Sequence, residues 1–152
     1  MAQGTIVLFE TFAKNAFLGG IGDISSVANS IMVSPITNER VPTASDDRWN
    51  YVTASANNAI HRRLVNPRLV TSGGKTTFTA DPLYWPVDPP IEKIWYLILS
   101  SYTYNAYVAD VVLIGFMDVT PDGGTTPWDV GVTPLTVTWN ASGVFDCQVL
   151  DG

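Results

Sequence analysis

The two residue types that most often act as nucleophile or base at neutral pH each occur once in this chain, as His61 and Cys147. A Ser-His-Asp or Cys-His arrangement needs an imidazole, so such a site would have to use His61. Two arginines follow that histidine directly, and their charge disfavours its protonation. Cys147 lies in a strand pattern, where a buried and unreactive thiol is the usual outcome. No Gly-x-Ser-x-Gly elbow is present. We therefore expect no nucleophilic hydrolase and, more broadly, no enzyme.

The sequence also lacks the residues that a metal site or a phosphate-binding loop would require. A zinc site needs several His or Cys ligands, and one of each is too few. The aspartates Asp118, Asp122 and Asp129 lack the spacing of an EF-hand loop, so we interpret them as turn formers. The run Gly74-Lys75-Thr76 resembles the end of a phosphate-binding loop, but Leu69 stands where the first glycine is required. We expect no metal and no cofactor.

Aromatic side chains are the remaining candidates for a binding site. Their loop and strand-end positions allow two uses, a platform for stacking sugars or a protein–protein interface. Dispersed carboxylates also leave glycoside hydrolysis open, although no pair stands out. We favour the protein interface over the sugar platform. The aromatic set comprises Trp85, Trp95, Tyr102, Tyr104, Tyr107 and Trp128.

Charge is scarce in this chain and unevenly placed. Of 152 residues, 14% are charged and 46% are hydrophobic, and the net charge is −6. Residues 40–75 hold six cations and two anions (+4), whereas residues 76–152 hold one cation and nine anions (−8). Net acidity argues against nucleic acid or an anionic membrane as the main partner. The asymmetry suggests either complementary faces that meet between copies or neutralisation within one fold.

The elements that must position these residues begin with a helix. Apolar residues from Leu8 to Phe17 recur with helical spacing, which predicts an amphipathic helix over about 5–18 with Thr5 as N-cap and Gly19-Gly20 as the stop. No basic segment with an apolar run and cleavage site opens the chain, so we expect no secretory signal. The longest apolar run, residues 94–99, is too short to span a bilayer.

Strand patterns dominate the rest of the chain, from about residue 30 to 150. A strand ends near Pro35, and a hairpin turns at 72–75 between strands at 62–71 and 76–80. Residues 82–90 are predicted as a proline-rich connection, 91–99 as a central buried strand and 110–118 as its antiparallel neighbour. A closing hairpin joins 135–139 to 144–150. The pattern predicts an all-β fold, an antiparallel β-sandwich or jelly-roll-like barrel with one N-terminal amphipathic helix, in a single domain over 1–152.

Several of these segments together resemble a known class of protein. They are the opening run Thr5-Ile-Val-Leu-Phe-Glu-Thr-Phe12, the motif Asp46-Asp-Arg-Trp-Asn-Tyr51, the pair 94–99 and 112–118, and the closing Leu135-Thr-Val-Thr-Trp-Asn-Ala-Ser-Gly-Val-Phe145. In these segments the chain resembles short virion structural proteins of tailed bacteriophages, of the capsid decoration (cement) type. The proline-rich connection at 82–90 and the tyrosine-rich stretch at 102–107 depart from that pattern.

The resemblance implies a protein made in the host cytoplasm and located on the capsid surface of the virion. Its implied partners are the major capsid protein and its own copies, as a homotrimer, with no nucleic acid and no membrane. The alternative is a phage tail or fibre-associated module that recognises a host-surface glycan or receptor. For the interface we predict aromatic and basic side chains: Phe12, Arg48, Trp49, Arg62, Arg63, Trp85, Tyr102, Tyr104, Tyr107 and Trp128.

Overall fold

The computed structural model describes residues 5–18, 31–47, 61–88, 93–101, 112–122, 124–139 and 145–148. Ten strands and one helix lie in these ranges, and every strand pairing is antiparallel. The all-β architecture with one N-terminal helix is therefore confirmed. In the described ranges the sheets stay open and close no barrel. The elements are β1 (Ile6–Leu8), α1 (Glu10–Phe17), β2 (Met32–Ile36), β3 (Arg62–Arg63), β4 (Val65–Ser72), β5 (Lys75–Asp81), β6 (Leu83–Trp85), β7 (Tyr96–Ser100), β8 (Leu113–Asp118), β9 (Leu135–Val137) and β10 (Phe145–Gln148).

A five-stranded sheet in the order β1-β8-β7-β2-β3 forms the first layer. Its centre is β7, in which all five residues are buried, as the continuous apolar run predicts. Alternate residues of β7 supply two different cores. Leu97 and Leu99 join the larger core, and Tyr96 and Ile98 join a smaller core on the opposite face. The prediction of a central strand with an antiparallel neighbour is confirmed, because β8 pairs with β7 along its length.

The second layer consists of a three-stranded sheet, β10-β5-β4, and a two-stranded sheet, β6-β9. Pro82 separates β5 from β6, and because it has no N–H to donate, the strand hydrogen bonding stops at this residue. Phe78, Ala80 and Leu83 face the larger core together with residues of the first layer. The larger core therefore lies between the layers, which gives the molecule a sandwich-like architecture.

The chain folds differently from the prediction at its start. Residues 6–8 form β1 on the edge of β8, and the helix begins only at Glu10, with Phe9 at the N-cap and no side-chain cap. Thr5 is therefore not the N-cap. The reason is tertiary: β8 offers backbone partners to Ile6, Val7 and Leu8, and β-branched residues suit that pairing.

Two connections also differ from the prediction. Residues 83–85 form β6 rather than part of a loop, and β6 pairs with β9. The predicted pairing of the closing hairpin is wrong, because β9 pairs with β6 and β10 pairs with β5. The reason is that β5 and β6 already present two consecutive strand edges, and the end of the chain adds to them in turn. The hairpin between β4 and β5 is confirmed, with positive φ at Gly73 and Gly74 as a two-residue type I′ turn requires.

Candidate protein interface

The outer side of the second layer is a regular, partly to fully exposed surface of the described chain. Cross-strand partners in a sheet share one side, so the strand register assigns residues to it. Val70 is opposite Thr77, Arg68 opposite Thr79, and Tyr84 opposite Thr136. We call the following residues the outer face: Val65, Arg68, Val70, Ser72, Lys75, Thr77, Thr79, Asp81, Tyr84 and Thr136.

The outer face carries little net charge. Arg68 donates from Nη1 to Asp81 Oδ1 at 2.9 Å and to the carbonyl oxygen of Asn66 at 3.0 Å. Asn66 donates to the second carboxylate oxygen of Asp81 at 3.4 Å. The charges of Arg68 and Asp81 thus neutralise one another at an exposed site, where such a pair adds little stability. Apart from Lys75 beside the hairpin turn, what remains of the outer face is threonine, serine, valine and tyrosine.

Threonine-rich and valine-rich surfaces can be covered by another protein at low cost. Few charges have to lose their water, and each threonine hydroxyl can either donate or accept a hydrogen bond across an interface. Tyr84 projects from the centre of β6 with 56% of its surface exposed. Tyrosine is enriched at protein interfaces because an apolar ring and a polar tip occupy one side chain. The outer face is therefore suited to binding a protein surface rather than a small ligand.

Trp85 is a correction to the predicted interface. Its side chain is 0% exposed and belongs to the larger core, next to Leu83 and Leu135 on paired strands. The prediction treated residues 82–90 as a loop, in which both Tyr84 and Trp85 would be accessible. Because residues 83–85 form a strand instead, neighbouring side chains point to opposite sides, and Tyr84 takes the exposed position.

The other predicted interface residues are divided between partly buried and more open positions. Phe12 of α1 and Trp128 are partly buried and pack against the larger core. Trp128 also donates from Nε1 to the carbonyl oxygen of Thr133 at 3.1 Å. Arg62 and Arg63 form β3 at the edge of the five-stranded sheet, and Arg62 donates to the carbonyl oxygen of His61 at 3.3 Å. The remaining predicted residues lie outside the described residues: Arg48, Trp49, Tyr102, Tyr104 and Tyr107.

The predicted set did not include several exposed apolar residues. On β4, Leu69 and Val70 are 54% and 48% exposed, and at the end of α1 Phe17 is 93% exposed. The exposed side of a strand can be read from the sequence when apolar and polar residues alternate strictly. Leu69 and Val70 are adjacent in a segment without such alternation, so the sequence did not identify them as exposed. The sequence signal for the exposure of Tyr84 is the triplet Leu83-Tyr84-Trp85. It indicates an exposed central residue only if the three residues are interpreted as a strand.

The acidic residues act as turn acceptors, as predicted. Asp118 Oδ1 accepts from the backbone N–H of Thr120 at 2.8 Å, and Asp129 Oδ1 accepts from Gly131 at 3.0 Å. Asp122 Oδ1 accepts from two backbone N–H groups, and its hydrogen bonds to Thr126 and Thr125 lower the pKa of that carboxyl group. Within the described ranges no three His, Cys, Asp or Glu residues come together as a metal site would require.

The single histidine precedes β3 in a partly buried position. Burial lowers the pKa of His61 below its ordinary value, because the charged imidazolium loses hydration. The direction agrees with the expectation that His61 is neutral, but the cause is desolvation rather than the adjacent arginines. Burial, followed by the carboxylate of Asp118 across the strand pair, raises the pKa of Tyr96. Neither group lies on the outer face.

Comparison of the chain with known protein families, with curated proteins and with solved structures finds no significant match. The helix in the described ranges is neither long enough nor apolar enough to cross a membrane.

Proposed function

We propose that the protein is a bacteriophage virion structural protein, a capsid decoration (cement) protein that stabilises the head by binding the major capsid lattice and its own copies. In this proposal it acts in the virion, at the capsid surface, without a catalytic role. The observation that carries the proposal is the outer face, a regular surface of mainly threonine, valine and tyrosine side chains whose charged residues are Arg68, Asp81 and Lys75, the first two of them paired with each other. The resemblance of the sequence segments to decoration proteins supports the same class.

The physical argument concerns desolvation. A monomeric domain normally covers its surface with charged residues, which make up about a quarter of an average composition. Here the fraction is 14%, and on the outer face the ion pair of Arg68 and Asp81 cancels internally. A partner can cover such a face without removing water from unpaired charges, which is one of the costs that weaken an interface. A lattice that presents many identical sites suits a protein of this kind.

The alternative function is a tail-associated module that binds a host glycan. It depends on aromatic rings open to a sugar, and Trp85 belongs to the aromatic set considered for such a platform. Because Trp85 is buried in the larger core, it offers no face for stacking. This observation favours the decoration protein over the glycan-binding module.

The proposal is tested by co-sedimentation of the purified protein with heads of the phage that encodes it. We expect binding, and we expect Thr136→Glu to weaken it at least about a hundredfold, because an unpaired charge would be buried under the lattice. Thr125→Glu, an exposed change on a turn away from the outer face strands, is the matched control and should bind normally. Both variants should unfold at the same denaturant concentration as the unchanged protein.

Two results would overturn the proposal. One is a protein that does not co-sediment with heads at any concentration tested and is missing from purified virions by mass spectrometry. The other is a Thr136→Glu variant that binds heads as tightly as the control variant. The first result would contradict the decoration function, and the second would contradict the outer face as the surface that binds the capsid.

A further inference from the structure

The edge of the five-stranded sheet at β3 brings the single histidine of the chain next to a buried serine. Both residues of β3 pair with β2, and the N–H of Leu64 continues the pairing by donating to the carbonyl oxygen of Ile31 at 2.9 Å. Continuing the same register by one residue in the other direction places His61 opposite Ser34 of β2. Opposite residues lie on the same side of a sheet, with their Cβ atoms about 4.5–5.5 Å apart. The two side chains are therefore neighbours.

Ser34 is the residue that gives this edge its chemistry. It is 0% exposed, and its hydroxyl group has no hydrogen-bond partner among the residues that the structure describes. Most buried polar groups are hydrogen-bonded, because a buried hydroxyl without a partner is destabilising. A neutral imidazole can accept a hydrogen bond from a hydroxyl, whereas an imidazolium cannot, since both of its ring nitrogens are donors. Rotation about the Cα–Cβ bond of Ser34 directs its hydroxyl towards the ring of His61.

The strands that meet at His61 hold no group that would stabilise a protonated imidazole. β2 and β7 contain no charged residue, and β3 consists of two arginines, of which Arg63 lies on the same side as the histidine. Tyr96 is the titratable side chain of β7, and its raised pKa keeps it neutral. Burial lowers the pKa of His61, because the imidazolium would lose its hydration there. The closed edge therefore suits the neutral imidazole alone.

The two ends of β3 are held with different strength. At the far end Leu64 is 3% exposed and belongs to the larger core, so it anchors the strand. Ile31 and Leu64 form a hydrogen-bonded pair, and the alternation of an antiparallel ladder makes Val33 and Arg62 the next such pair. The near end thus depends on this one pair and on the histidine beside it. Short edge segments of this kind open locally at a small cost in free energy.

We propose that His61 and Ser34 form a pH-sensitive latch that holds the start of β3 against β2. With a neutral imidazole the Ser34 hydroxyl donates to the ring and the edge is closed. A proton taken up from water removes the acceptor and draws the ring into solvent, so residues 61–63 separate from β2 while Leu64 stays anchored. Because the folded state favours the neutral ring, the latch is fully closed above about pH 6.5 and weakens as the pH falls below that value. The latch belongs to the free chain and does not rest on the proposed function.

NMR titration tests the contact between the two side chains. The chain contains one histidine, so its imidazole signals are assigned without ambiguity. In the unchanged protein we expect the pKa of His61 to lie below the ordinary value of about 6.5. Ser34→Ala removes the donor to the neutral ring and should move that pKa upward. Ser72→Ala, which removes an exposed hydroxyl from β4, is the matched control and should leave the pKa unchanged.

Amide hydrogen exchange tests whether β3 opens. Exchange rates are corrected for their intrinsic pH dependence and compared between about pH 8 and about pH 5, where histidine is the side chain that changes charge. We expect the protection of the Arg62 amide to fall about tenfold for a histidine pKa one unit below its ordinary value. The amides of Leu64 and of β7 should keep their protection. His61→Gln, which cannot be protonated in this range, should abolish the change at Arg62.

The latch is overturned if the pKa of His61 lies at or above its ordinary value, or if Ser34→Ala leaves that pKa unchanged or lowers it. It is also overturned if the protection of Arg62 does not depend on pH, or if its fall persists in His61→Gln. A simultaneous loss at Arg62, Leu64 and β7 would mean global unfolding and would contradict a local latch. Should His61→Gln fail to fold, the titration and the exchange of the unchanged protein decide the matter.

Discussion

At the residue scale, neighbouring side chains of β6 have opposite roles. Trp85 is fully buried in the larger core, and Tyr84 is more than half exposed on the outer face. Both are large aromatic residues in a segment flanked by prolines, and composition does not distinguish them. The alternation of a strand does, because successive side chains point to opposite sides of a sheet.

We expect this difference to appear directly in stability. Trp85→Ala should lower the free energy of unfolding by about 3–5 kcal/mol, because it empties a large space in a packed core. Tyr84→Ala should change it by no more than about 0.5 kcal/mol, as is usual for exposed positions. Urea denaturation of the two variants measures both values. Equal losses would show that Tyr84 is packed and that the outer face does not have the exposure described here.

At the element scale, the pairing of β1 with β8 explains why the helix starts late. Gly115 of β8 lies opposite Leu8, and a side-chain carbon added there would lie 3.0 Å from the carbonyl oxygen of Val7 and 3.1 Å from Ile6 Cγ2. β1 therefore approaches β8 at a position where only hydrogen fits without adjustment. The strand and the absence of a Cβ depend on one another.

Gly115→Ala tests that dependence. We expect a loss of about 1–3 kcal/mol in the free energy of unfolding, typical of overpacking, because a backbone atom of β1 has to move. Hydrogen exchange should quicken at Ile6 to Leu8, while the amides of β7, at the centre of the sheet, keep their ranking as the most protected. Unchanged stability together with unchanged exchange in β1 would mean that β1 does not lie against Gly115.

At the scale of the whole molecule, the scarcity of charge and its uneven placement have different consequences. The scarcity leaves an outer face from which a partner has to remove little water. The cation-rich segment 40–75 supplies Arg62 and Arg63 to β3, an edge of the five-stranded sheet, and Arg68 to β4, an edge of the three-stranded sheet. The acidic remainder of the chain includes Asp146 on the opposite edge. In the proposed self-association, contact between the basic and the acidic parts of two copies would join unlike charges.

This arrangement predicts a dependence of self-association on salt. Raising the ionic strength from about 0.1 M to about 1 M shortens the screening length from roughly 10 Å to roughly 3 Å. We expect the proposed assembly of copies to weaken as salt is added, so that its dissociation begins at higher protein concentrations, as measured by sedimentation or light scattering across a dilution series. An apolar interface alone would be insensitive to salt or strengthened by it, so that outcome would contradict a role for the charges.

Much of the fold was predictable because local patterns agree with the tertiary structure. The continuous apolar run around β7 and the Gly-Gly turn between β4 and β5 each have one good structural solution, and both predictions are confirmed. The start of α1 was not predictable, since a helical stripe and a strand pairing compete for residues 6–8 and the edge of β8 decides between them.

For the candidate site, the sequence alone determined the scarcity of charge, the separation of cations from anions and the shortage of His and Cys, because these follow from composition and order. It also determined the strand-rich class, through periodicity. Only the tertiary structure decided that Tyr84 is exposed while Trp85 is buried, that β9 and β10 extend β6 and β5, and that Leu69 and Val70 lie on an open edge. The physical reason is that exposure and strand pairing depend on residues distant in the chain, whereas propensity and charge are properties of each residue where it stands.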